Sequence, residues 1–132
     1  MTKPNADQNP FTIINEQQDG IQIFRLTGTV GYGNVQQAKT VLREQQIKAR
    51  YYVFDLLELA WIDSTGLGML ISFAKEVRTD RPNVAIAAGG ELRELLEMAK
   101  LDLVFPLYST AAEAVNGANT DEGDRPLPLD KY

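Results

Sequence analysis

The sequence predicts an α/β protein: a short mixed, mostly parallel β-sheet packed against α-helices, in the order β-β-α-β-α-β-α-β-α. Three observations predict it. Short apolar runs with Val, Ile and aromatic residues alternate with stretches whose apolar residues fall at helical spacing. Alternation of this kind implies parallel strands covered by helices. The first two runs are the exception, because only Asp19-Gly20 separates them, and a two-residue turn joins antiparallel strands.

Taken in order, "FTIINEQ" and "GIQIFRLTG" are the opening hairpin, with Phe24 and Leu26 expected to face the core. "NVQQAKTVLREQQIKA" places Val35, Ala38, Val41 and Leu42 on one helical face, with Asn34 as its N-cap. "RYYVFDL" is a central strand, and "LLELAW" reads as a connection closed by Ile62. "STGLGMLISFAKEV" carries a helical stripe of Leu67, Leu70, Ile71, Ala74 and Val77. After Arg81-Pro82-Asn83, "NVAIAAG" is a buried strand. "GELRELLEMAKL" is a helix with Leu92, Leu95, Leu96 and Ala99 inward. "LVFPL" is a last strand, which Pro106 puts at or near an edge. "STAAEAV" opens a final helix, and Thr110 to Glu113 has capping-box spacing.

The 132 residues suggest one domain, spanning 11–116. Residues 1–10 are polar with two prolines and read as a loose arm. Residues 117–132 read as an acidic, Pro- and Gly-containing mobile tail. There is no cysteine and no histidine, so thiol nucleophiles, disulfides, His-based metal sites and catalytic triads are excluded. The net charge of −5 argues against nucleic acid. The opening residues lack the apolar run of a signal peptide. No stretch approaches the roughly 18 apolar residues of a membrane span. The expectation is a cytoplasmic protein that is no enzyme and uses neither cofactor nor metal.

The informative stretch is "WIDSTGLGML", residues 61–70. Asp63, Ser64 and Thr65 all suit an N-cap, yet one cap suffices. Gly66 and Gly68 each cost a helix about 1 kcal/mol relative to Ala. They imply close approach, by a packed neighbour or by a docked partner. A phosphate on a hydroxyl here would meet free N–H groups and the positive end of the helix dipole. It would put a bulky charge of about −2 beside Asp63 without unfolding anything. Leu67 and Met69 are candidates for exposed apolar residues of a binding patch, with core packing as the alternative for Leu67.

"FDLLELAWIDSTGLGML" resembles the signature of the STAS family, in particular its stand-alone bacterial anti-sigma factor antagonists. Asp55, Ile62, Asp63, Ser64, Thr65, Gly66, Leu67 and Gly68 match its pattern, and "FRLTG" resembles the strand before its first helix. The resemblance implies a STAS-type fold and a partner switch. Ser64 would be phosphorylated by a GHKL-type partner that is both serine kinase and anti-sigma factor, with Thr65 as the alternative acceptor. The unphosphorylated form would bind that kinase and free its target, and a PP2C-type phosphatase would restore it. Asp63, Thr65, Gly66 and Leu67, with the loop Gly31, Tyr32, Gly33 and Asn34, would form the docking face.

One departure is visible. The family's second strand runs into Gly-Glu-Leu-Asp, whereas here the run is Gly28-Thr29-Val30-Gly31, so both acids are missing. That leaves a partner switch with a non-sigma output, or a constitutive STAS-type scaffold, as alternatives. A nucleotide-binding reading has less support. Gly31 and Gly33 give G-x-G, and Asp55 ends the next strand, but Gln36 occupies the third small position and no Walker lysine is present.

Overall fold

A computed structural model describes residues 10–120. Strands β1 (Phe11–Gln18) and β2 (Ile21–Val30) form the antiparallel hairpin. Asp19 and Gly20 both take positive φ, 53° and 80°, as a tight primed turn requires. Helix α1 (Val35–Gln45) leads to β3 (Tyr51–Asp55), which runs parallel to β2. Then come β4 (Leu59–Ile62), α2 (Ser64–Val77), β5 (Val84–Ala87), α3 (Gly90–Met98), β6 (Leu107–Tyr108) and α4 (Ala111–Thr120). The sheet order is β1-β2-β3-β5-β6.

The strand β4 lies where a plain connection was expected. It pairs parallel with the far end of β2, Thr29 opposite Trp61 and Val30 opposite Ile62, beyond the stretch that β3 occupies. The ten residues of β2 thus template two successive strands on one side. "LVFPL" is corrected too. Lys100 adopts a left-handed φ of 62° and Leu101–Leu103 forms a 3-10 turn, which buries Leu101, Val104 and Phe105; only Leu107–Tyr108 pair, at the edge beyond Pro106.

Two apolar clusters sandwich the sheet. The larger holds Phe24, Leu26, Phe54, Leu70, Phe73, Ile86 and Leu96 under α1, α2 and α3. The smaller holds Ile21, Ile23, Val53 and Ala85 under Ala114 and Val115 of α4. β2 is therefore covered on both faces. Gln22, fully buried, ties the α1–β3 loop to the sheet: its oxygen accepts from Ile47 N at 3.0 Å and its amide donates to the Gln45 carbonyl at 2.7 Å. In α3, Leu96 is buried while Leu95 turns outward, 38% exposed, contrary to the inward stripe expected.

α4 continues to Thr120, so residues 117–120, expected in the tail, are helical. Thr110 Oγ1 accepts from Glu113 N at 3.1 Å, which is the cap its spacing implied. The arm 1–9 and the remainder of the tail lie outside the described residues. Among the described residues, no helix is long and apolar enough to cross a membrane, and no group of acidic residues could hold a metal ion.

Candidate functional site

The start of α2 answers why three capping residues stand in line: one caps, one assists and one is left over. Asp63 is the N-cap, in extended conformation, and its Oδ1 accepts from Thr65 N at 2.9 Å and Gly66 N at 3.1 Å. Thr65 Oγ1 donates to the same oxygen at 2.6 Å. Ser64, the first helical residue, is exposed, and its hydroxyl has no partner among the described residues.

The second carboxylate oxygen of Asp63 reaches away from the helix. Oδ2 accepts from Tyr32 N at 2.9 Å and so ties the β2–α1 loop to α2. Desolvation raises the Asp63 pKa, but the bonds from the Thr65 side chain and from the Tyr32, Gly66 and Thr65 amides outweigh it. They hold the carboxyl below its ordinary value.

The loop itself is braced by Asn34. Asn34 stands at the N-cap position of α1 but makes no side-chain cap. Its Oδ1 accepts from Gly31 N and its Nδ2 donates to the Thr29 carbonyl, both at 2.9 Å, so the side chain is spent on the loop. Gly31 has a packing reason to lack a side chain: a Cβ would sit 2.7 Å from Asp63 Oδ2 and 2.8 Å from Trp61 Cζ3. The result is a fixed loop that presents Tyr32, 83% exposed, beside α2. With Gly31 N held by Asn34 and Tyr32 N held by Asp63, two N–H groups that a phosphate cradle would need are engaged, and the G-x-G reading loses its basis.

The two glycines of the motif differ. A Cβ on Gly66 would sit 2.5 Å from Ile62 Cγ1 and 2.9 Å from the Val30 carbonyl oxygen, so Gly66 lets α2 seat on β2 and β4. A Cβ on Gly68 would meet nothing within 4 Å.

The geometry thus sorts the residues expected at the docking face. Ser64, Thr65, Tyr32 and Gly33 are exposed, and Asp63 is half-buried between them. Gly31, Asn34, Gly66 and Leu67 are buried and support the face from beneath. Leu67 packs in the core at 9% exposure, and Met69, expected as a surface apolar residue, is buried at 2%. The helical stripe is wider than its sequence spacing suggested, since Met69 and Phe73 point inward as well. Trp61 was missed. It is 39% exposed, lies against Gly31, and belongs to the stretch taken for a plain connection. The chain's single tryptophan, two residues before Asp63, was a signal that could have found it.

Comparison with known proteins bears on the family and the fold. The STAS domain profile matches residues 12–114. An anti-sigma F factor antagonist from Paenibacillus polymyxa is 24% identical over 103 residues, covering 76% of this chain and 88% of that protein. The crystal structure of an anti-sigma factor antagonist from Mycobacterium paratuberculosis superposes with a TM-score of 0.70 at 23% identity, covering 83% of this chain and 95% of that one. The Bacillus cell fate determinant SpoIIAA, in its phosphorylated form, does so with a TM-score of 0.59 at 16% identity, over 80% and 97% of the two chains. With more than half its length matched by the family's profile, the chain belongs to the STAS domain family.

Proposed function

We propose that this protein is an anti-sigma factor antagonist that works as a phosphorylation-controlled partner switch in the cytoplasm. Its unphosphorylated form binds an anti-sigma factor that is also a GHKL-type serine kinase, and so releases that factor's target. Phosphate on Ser64 ends the binding, and a PP2C-type phosphatase restores it. The protein is substrate and binder in this scheme, and its partner supplies the nucleotide.

One observation carries the choice of residue. Of the two adjacent hydroxyls, Thr65 Oγ1 donates to Asp63 while Ser64 is exposed and unengaged among the described residues. A kinase reaches Ser64 without breaking any hydrogen bond, whereas phosphorylating Thr65 would remove the hydroxyl bond that supports the Asp63 cap. Gly68 adds support. It is one helical turn beyond Ser64 and has no packing reason to be small, as expected if a partner's surface passes over it. Tyr32, Gly33 and Trp61 surround the Asp63 carboxylate with an aromatic rim, and Thr29 and Gly31, where the family pattern carries acids, are uncharged. The partner surface that fits is correspondingly apolar.

The test is a phosphosite map of the protein from its native cells under different growth conditions, paired with co-purification of Ser64→Asp. The expected result is condition-dependent phosphate on Ser64, and a Ser64→Asp protein that melts as wild type yet retains no kinase. A variant that binds the kinase as tightly as wild type, or a Ser64 never modified in protein that still carries a partner, would leave a constitutive scaffold.

A further inference from the structure

We propose, building on the reading of Ser64 as a phosphate acceptor, that Asp63 is a two-armed latch through which the charge on Ser64 sets the position of the Tyr32 loop. The arms are unequal. Oδ1 accepts three hydrogen bonds, from Thr65 N, Gly66 N and Thr65 Oγ1. Oδ2 accepts one, from Tyr32 N.

The loop is unequal in the same way. Its base is held without Asp63, because Asn34 bonds Gly31 N and the Thr29 carbonyl, and the Asn34 and Val35 amides both donate to the Gly31 carbonyl. Its tip, Tyr32-Gly33, is exposed, and the Tyr32 N–H bond to Asp63 is the one hydrogen bond it makes among the described residues.

A phosphate on Ser64 places about two negative charges next to the Asp63 carboxylate. The two anions repel, and the phosphate oxygens offer rival acceptors for the same N–H groups. The arm held by one bond yields before the arm held by three. Helix α2 keeps its cap while the loop tip is released and Tyr32 leaves the docking face. Phosphorylation then removes an aromatic anchor as well as adding charge.

The experiment uses the full chain with phosphoserine installed at position 64 during synthesis, beside unmodified protein and Asp63→Asn. Asparagine keeps an oxygen for the helix amides but turns an NH2 toward Tyr32 N–H, which removes only the weak arm.

In the phosphoprotein, the Tyr32 amide should exchange with solvent about tenfold faster. The Asn34 and Val35 amides should be unchanged. Asp63→Asn should show the same acceleration without phosphate, and phosphorylating it should add less than about twofold. If that variant fails to fold, the phosphoprotein decides alone. Tyr32 exchange within about twofold of unmodified protein would overturn the latch and leave Asp63 a helix cap. That result would not touch the partner switch, which fails on different grounds: an unphosphorylated Ser64 in cells, or undiminished kinase binding by Ser64→Asp.

Discussion

Gly66 and Gly68 stand two residues apart in α2 and are small for opposite reasons. An added methyl on Gly66 would overlap Ile62 and the Val30 carbonyl, and neither can retreat, since Ile62 and Val30 are both buried. Strain there exceeds the helix-propensity gain, so Gly66→Ala should cost about 1–3 kcal/mol. Gly68 has open space above it, so Gly68→Ala should gain about 0.5–1 kcal/mol from propensity alone. Urea midpoints of the two variants check the pair, and the opposite signs are the point of the test. If the proposed partner passes over Gly68, the stabilised variant should also bind that partner more weakly. Asp63 adds a pH dependence. Its folded-state pKa is depressed by hydrogen bonds, so its contribution is complete above the ordinary aspartate range. It is lost as pH falls below about 4 and through the lower folded-state value. Asp63→Asn does not titrate at this position. The stability gap between wild type and Asp63→Asn should therefore narrow between pH 7 and pH 3, measured as urea midpoints at each pH.

The aromatic contacts of α2 decide how firmly the helix is seated. The Phe73 ring stands edge-on to Tyr52 and Phe54, with centroids 5.2 and 5.1 Å away, and to Phe24 at 5.5 Å. Phe73→Ala should cost about 3–5 kcal/mol, read from denaturant unfolding. A cost under about 1 kcal/mol would mean that the helix is seated by Leu70 and Ala74 alone. The hairpin, the four helices and the Asp63-Ser64 cap region were legible because periodicity and turn chemistry are local. What escaped depends on distant partners. "LAWI" buries Leu59 and Ile62 but exposes Ala60 and Trp61, which is no strand alternation, and it becomes β4 only because β2 extends far enough to pair with it. "LVFPL" has strand composition, yet a left-handed Lys100 bends the preceding segment into a 3-10 turn. Asn34 looked like a cap, but its side chain is used across the loop, and Leu67 looked available for docking while the core claimed it. The resemblance to the family marked Ser64 and the Tyr32 loop as candidates. It could not reveal the Asp63–Tyr32 bond that joins them, because 31 residues separate its partners.

At the scale of the whole molecule, the proposed site and the seal on the opposite face are carried by different parts of the chain. Ser64 and the Tyr32 loop sit where β2 and β4 end. The last turn of α4 is instead fastened beside the β1–β2 turn. Arg50 reaches both the Asp19 carbonyl, at 3.0 Å, and Asn119 Oδ1, at 2.5 Å. Ala118 packs against the Ile21–Val53 cluster, and Gly117 is small because a Cβ there would strike the Tyr108 hydroxyl. A chain ending at residue 116, where the sequence reading placed the domain boundary, keeps Ala114 and Val115 but loses Ala118, Asn119 and nearly half of a ten-residue helix. A helix that short does not hold on propensity, so its remaining turns depend wholly on packing. Compared with a chain ending at Thr120, the shorter one should be less stable by about 1–3 kcal/mol, from lost apolar burial and one lost charge-assisted bond. Paired urea titrations measure this. Equal midpoints would show that α4 seals the sheet through its first two turns only. The proposed phosphate-acceptor end should be indifferent to the cut: below the unfolding transition, both chains should present Ser64 to the proposed kinase at the same rate. A change in phosphorylation rate at full folding would instead mean that the back cluster, through β2, sets the position of the site.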